Sequence, residues 1–176
     1  PDTGSELADD LEVISKKLGG ENIAACIVEP IAGSTGTLIP PKNYLQKLRK
    51  ICDKHGILLI FDEVITGWGR TGSAFAAQEF GVIPDIMTMA KATTNGIVPM
   101  GVVAVREKIY DSVMDASPDG AMELFHGYTY SGIPVAVSAA IAVQKIFEEE
   151  DIFNRVKSLS NYFQDGLHSL KDLSCV

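Results

Sequence analysis

Ile57-Leu58-Leu59-Ile60-Phe61-Asp62-Glu63 is an apolar run that stops on two acids, and Ile86-Met87-Thr88-Met89-Ala90-Lys91 is one that stops on a base. Runs this short, rich in β-branched residues and bounded by turn residues, read as strands. They are apolar throughout instead of alternating, the pattern of strands covered on both faces. Residues 23–28 form a third such run, ending at Glu29-Pro30, and residues 102–105 a fourth.

Helical patterns fill the intervals. Leu7, Leu11, Ile14 and Leu18 make one apolar stripe, stopped by Gly19-Gly20. Pro40-Pro41 opens a second helix whose inner stripe is Tyr44, Leu45, Leu48, Ile51 and Cys52, ending near His55-Gly56. A short helix is predicted over 74–80 and another over 107–114. Pro134 stands in the first turn of a helix reaching about residue 150, whose terminal glutamates splay into solvent. Asp151 is placed to cap the last helix, with Ile152, Val156, Leu159, Phe163, Leu167 and Leu170 as its apolar face. Strands alternating with helices predict an α/β fold, a mostly parallel sheet with helices on both faces.

The bulk composition narrows the function. At 176 residues, 46% hydrophobic and 22% charged, the chain has globular composition and enough length for a real core. A net charge of −8 without a basic cluster argues against nucleic acid. The apolar runs are too short to span a membrane, and the expected compartment is the cytoplasm. The odd set Cys26, Cys52 and Cys175 has no C-x-x-C pair; Cys26 and Cys52 read as buried small hydrophobes in a reducing compartment. His55, His126 and His168 are far apart and read as surface or loop residues, giving no metal signature. Pro1 at one end and Ser174-Cys175-Val176 at the other suggest a piece of a longer protein.

In parallel sheets, ligands bind just outside the carboxyl ends of the strands. Glu29, Asp62 and Lys91 close consecutive apolar runs there. Singly, each is an ordinary strand-end or solvated residue. Together they offer an amine that can form an imine and a carboxylate that can keep a ring nitrogen protonated, the pair that pyridoxal phosphate chemistry needs. Gly127-Tyr128-Thr129-Tyr130-Ser131-Gly132 leads into the Pro134 helix, whose free N–H groups make a natural anion site. Gly67, Gly69 and Gly72 match G-x-G-x-x-G, but the first glycine does not sit at the strand's end. The next strand also ends in Lys91 instead of an acid, so a dinucleotide site is disfavoured. Gly33-Ser34-Thr35-Gly36 lacks the lysine of a P-loop and reads as a turn.

Residues 61–72, Phe-Asp-Glu-Val-Ile-Thr-Gly-Trp-Gly-Arg-Thr-Gly, closely resemble the signature of the class III pyridoxal-phosphate aminotransferases, the ω-aminotransferase group. The resemblance continues through Val28-Glu29-Pro30, Pro84-Asp85-Ile86, Ala90-Lys91, Thr94-Asn95-Gly96, Pro99-Met100-Gly101 and residues 127–132. It implies the large domain of a fold-type-I transferase, with residues 1–176 as its central part and the N-terminal segment and C-terminal small domain lying outside. It implies transamination from an ω-amino acid or amine to a keto acid, pyruvate above all, through a Schiff base on Lys91. Lys91 would also shuttle the proton, its burial disfavouring the ammonium form. Asp62 would bond the pyridine N–H, Val64 would pack on the ring, and Glu29 would line the pocket. Thr129 would bind the phosphate of a neighbouring subunit's cofactor, implying a homodimer or higher with shared sites. Three residues depart from the family pattern: Ala92 stands where glycine is common, Ile65 where some members have glutamine, and Ile133 where histidine is frequent. The alternatives are an aminomutase or decarboxylase of the same superfamily, or an inactive structural fragment.

Overall fold

The computed structural model describes residues 2–121, 124 and 126–174. Its sheet has four strands in the order β1-β2-β3-β4: β1 (Ala25–Val28), β2 (Leu58–Asp62), β3 (Ile86–Met89) and β4 (Val102–Val105). The first three are parallel and β4 runs antiparallel to β3, so the mostly parallel sheet expected from the sequence is present. Six α-helices accompany it among the described residues: α1 (Asp9–Leu18), α2 (Tyr44–His55), α3 (Ala76–Glu79), α4 (Glu107–Asp115), α5 (Pro134–Glu149) and α6 (Ile152–His168).

Register sorts the side chains into two faces, because neighbours in adjoining strands point the same way. Val28, Phe61, Met87 and Ala104 form one cross-sheet row. Its members Val28, Phe61 and Met87 join the core with Leu45, Leu48, Ile51 and Cys52 of α2. The flanking row, Ile27, Ile60, Ile86 and Val105, points to the opposite face, as does the row Asp62, Thr88 and Val103. That face is thinly covered: Ile27 is 62% and Val103 64% exposed. The expectation of strands buried on both faces therefore holds best for β2, and fails for β1 and β4.

Two helix faces differ from the sequence reading. Of the predicted stripe, Leu7 in the turn before α1 and Ile14 and Leu18 on it are exposed, while Ala8 and Ser15 are buried. Ion pairs turn the helix: Lys47 reaches Asp9 at 2.6 Å, and Glu12 takes Lys54 at 2.5 Å and His55 at 2.8 Å. The hydrogen bonds from Lys54 and then His55 pull the Glu12 carboxyl down to about 2. His55 is therefore a half-buried helix-end partner and not a surface or loop residue. On α6 Leu159, Phe163 and Leu167 are exposed, as is Leu170 in the turn after it. Asp151 precedes α6 with φ 48°, but its carboxylate accepts from the Asn154 side chain instead of a backbone N–H. Cys52 is buried as expected but Cys26 only half-buried, because its strand is the open edge of the sheet; both are free thiols. The hydrogen bond between them lowers Cys26 to about 7 against the effect of burial, and raises Cys52 in concert with burial. Cys175 lies outside the described residues.

The amino end of the sheet is tied by Asp85. Its carboxylate accepts from the Leu59 N–H at 2.8 Å and Arg49 Nη1 at 2.6 Å, with Arg106 Nε at 3.4 Å. Burial pushes the Asp85 carboxyl up, but the Leu59 N–H and then the guanidinium groups outweigh it and hold it below its usual range. A carboxyl depressed in the folded state stabilises above its unfolded pKa and loses that contribution as pH falls through the folded value. Asp85→Asn should cost about 2 kcal/mol in urea unfolding at neutral pH. The gap from the parent should close below about pH 4; a gap unchanged by pH would contradict this role.

Candidate active site

The residues singled out in the sequence meet at the carboxyl rim of the sheet. Asp62 ends β2 opposite Thr88, and Lys91 follows β3 after Ala90. Glu29 follows β1, one residue beyond the Val28–Phe61 pair. A cavity of about 590 Å³ opens beside them, within the range of small-molecule sites. Val64, Thr88, Ala90 and Val103 line it from the sheet, and Tyr128, Ser131, Ile133 and Ala136 from the α5 side. Of the five predicted residues only Val64 lines this cavity; Asp62 and Lys91 adjoin its walls through Thr88 and Ala90. Thr129 is exposed between the lining residues Tyr128 and Tyr130.

Each side chain's state bears on its chemistry. Asp62 Oδ1 accepts from the Val64 N–H at 3.0 Å, and among the described residues Oδ2 has no hydrogen-bond partner. Glu29 Oε2 accepts from the Gly33 N–H at 2.9 Å. Lys91 is exposed, with no ion pair or hydrogen bond from its amine among the described residues. Burial of the amine, expected from the sequence, is thus not found, because only the start of α5 overlies this rim. Lys91 is also left-handed, at φ 47°. A non-glycine residue there stores of order 1–3 kcal/mol, strain that marks functional sites when its surroundings enforce it.

What fixes the rim was not foreseen. Glu63, beside Asp62, is fully buried. Its Oε2 accepts from Thr66 Oγ1 at 2.7 Å and the Ala76 N–H at 2.8 Å, and its Oε1 from the Ala77 N–H at 2.7 Å. One carboxylate therefore pins both ends of the 63–77 loop and satisfies the first N–H groups of α3. The only signal in the sequence is an acid followed three residues later by threonine; the other partners are too remote to read. Within the loop, Gly69 and Gly72 have φ 92° and 85°. A Cβ on them would lie 2.7 Å from Phe153 Cδ1 and 2.5 Å from Lys157 Cγ. The glycine spacing thus serves close packing on α6.

A larger cavity, about 890 Å³, lies at the amino end between α4 and Asp85. It holds none of the rim residues, and its two acids, Asp53 and Asp85, are already engaged by Arg49. Among the described residues no cluster could hold a metal ion and no helix is long and apolar enough to cross a membrane.

The sequence model of the family described as Aminotransferase class-III matches residues 2–176. An ω-aminotransferase of Caulobacter vibrioides is 58% identical over 172 residues, covering 98% of this chain and 39% of that protein. A β-alanine–pyruvate aminotransferase of Pseudomonas aeruginosa is 50% identical over 169 residues, covering 96% of this chain and 38% of its own length. Among solved structures, an amine transaminase from an uncultivated Pseudomonas species in the PLP-bound form superposes with a TM-score of 0.86 at 39% identity. That match covers 94% of this chain and 37% of the other. The chain thus spans under two-fifths of the length of these relatives.

Glu63→Gln keeps the shape but turns one acceptor into a donor facing donors. It should cost about 2–3 kcal/mol. Chemical denaturation at neutral pH checks this, and a variant as stable as the parent would show that the carboxylate does not hold the loop.

Proposed function

The chain belongs to the class III aminotransferase family, and on that premise we propose that it carries the lysine and aspartate of a pyridoxal-phosphate transaminase. The whole protein would move an amino group from an ω-amino acid or amine to a keto acid, pyruvate by preference. The names of the relatives support the substrate class: one is an ω-aminotransferase and another uses β-alanine and pyruvate. One observation carries the reading. Asp62 ends β2 and Lys91 follows the neighbouring parallel strand β3 by two residues, at the rim beside a cavity of about 590 Å³.

The donor set fits the cofactor: a free amine, a carboxylate with one unengaged oxygen, and an apolar wall that includes Val64. When bound, pyridoxal phosphate supplies an aldehyde for the amine and a conjugated ring that takes up an electron pair. Lys91 would condense with that aldehyde with loss of water, and once displaced by the amino donor would carry the proton between the donor's amine-bearing carbon and the cofactor's C4′ carbon. Asp62, steered by the Val64 N–H on Oδ1, would hold the proton on the ring nitrogen with Oδ2. Val64 would pack against the ring face. Glu29 would stand at the edge near the substrate, its direction set by the Gly33 N–H. Thr129, exposed on the segment before α5, would take the phosphate of a neighbouring subunit's cofactor, so the assembly would be at least a homodimer. In this reading residues 1–176 are the central part of the cofactor-binding large domain.

Incubation with pyridoxal phosphate, borohydride reduction and peptide mapping test the assignment. The label should fall on Lys91, and Lys91→Ala should abolish both label and visible band. Adding β-alanine should bleach the band. Asp62→Asn should keep the band yet slow bleaching by roughly 10²-fold or more, since it removes preorganised charge from the reacting ring. A label elsewhere, or Asp62→Asn bleaching at the parental rate, would contradict these roles.

A further inference from the structure

Lys91's left-handed backbone needs something to hold it, and the structure supplies a relay from the loop that follows Asp62. Thr93 is 2% exposed. Its hydroxyl accepts from the indole N–H of Trp68 at 2.9 Å and donates to the carbonyl of Ala90 at 3.0 Å. Ala90 is the residue before Lys91, so the relay ends on the peptide group that sets the lysine's φ. The tryptophan is itself fixed. Its backbone N–H donates to the Ala74 carbonyl at 2.6 Å, and its ring meets Phe75 edge-on at 4.9 Å. Phe75 adjoins Ala76 and Ala77, whose N–H groups Glu63 holds. Beyond the β2–β3 ladder, the side-chain path from the loop after Asp62 to the Lys91 turn thus runs through one buried hydroxyl. A threonine in a short turn often bonds back to the carbonyl three residues earlier. A half-buried indole spent on that same hydroxyl is not required by the turn, and it joins the loops that leave β2 and β3.

We propose that Trp68 and Thr93 are positioning residues that lock the Lys91 turn to the Asp62 loop, so that the amine and the carboxylate keep one relative placement. The proposal rests on the reading of Lys91 and Asp62 as a cofactor pair, and neither residue need touch the cofactor. Its specific consequence is that removing either hydrogen-bonding group loosens residues 90–97 and leaves the core strands unchanged.

Thr93→Val and Trp68→Phe each delete the bond, and Thr93→Ser restores the hydroxyl. Hydrogen exchange on the cofactor-free protein should show amides of residues 90–97 exchanging about tenfold faster in the first two variants, the effect of losing one buried hydrogen-bond relay. Residues 57–62 should exchange as in the parent, and Thr93→Ser should match it throughout. With pyridoxal phosphate, Thr93→Val and Trp68→Phe should label Lys91 more slowly and shift the pH midpoint of the visible band, and Thr93→Ser should reverse both. Parental exchange over 90–97 in both variants would overturn the proposal. Acceleration spread equally over 57–62 would also overturn it, assigning the pair to general stability. A parent that never labels at Lys91 would defeat the transaminase reading instead, and the exchange data would still decide whether the relay holds the turn.

Discussion

A single buried carboxylate, that of Glu63, organises the rim on which the proposed chemistry depends. A charged group with no solvent contact is tolerated only when its hydrogen-bond capacity is met. Glu63 meets it with one hydroxyl and two peptide N–H groups drawn from residues 66, 76 and 77. The residue immediately before it is Asp62, the residue after is Val64, and the loop it closes presents Trp68. Were the clamp absent, the aspartate would have only its place at the end of β2 to define it.

The sheet adds the second constraint. Parallel pairing of β2 with β3 sets Asp62 beside Thr88 and on the same face, and that face is the one α5 overlies. Backbone register therefore fixes which side of the sheet the carboxylate serves. Lys91 lies past the strand's last paired residue, where register no longer reaches, and its φ of 47° is enforced by local turns instead. The division of labour is physical: hydrogen-bond ladders place the carboxylate, and a strained turn under side-chain restraint places the amine. Strain of this kind persists only where neighbours over-determine it, which is why the Trp68–Thr93 bond is informative.

Much of this was legible in the residues. The runs at 57–61 and 86–90 read as strands because they are mostly apolar and too short between turn formers for a buried helix, and α2 declared its inner face through Leu45, Leu48, Ile51 and Cys52. The antiparallel direction of β4 was not legible, since composition carries no sign of strand polarity. The α1 face was misread because apolar periodicity competes with ion pairs to α2, and Asp9 and Glu12 prevailed over Ile14 and Leu18. For the site, Lys91, Asp62 and Glu29 stood out by position at run ends. Glu63, Trp68 and Thr93 did not, because the partners that tie them across the loops lie 13 to 25 residues away and their local partners, Thr66 and Ala90, are ordinary turn neighbours. The G-x-G-x-x-G spacing, conversely, was conspicuous yet answers to packing against Phe153 and Lys157.

The central claim is that one ring lies between the Lys91 amine and the Asp62 carboxylate. A crystal structure of the protein grown with pyridoxal phosphate measures this directly. The account predicts continuous density from Lys91 Nζ to the cofactor, with the ring nitrogen about 3 Å from Asp62 Oδ2. A cofactor bound away from this rim, or one joined to Lys91 with its ring nitrogen facing no carboxylate, would contradict it.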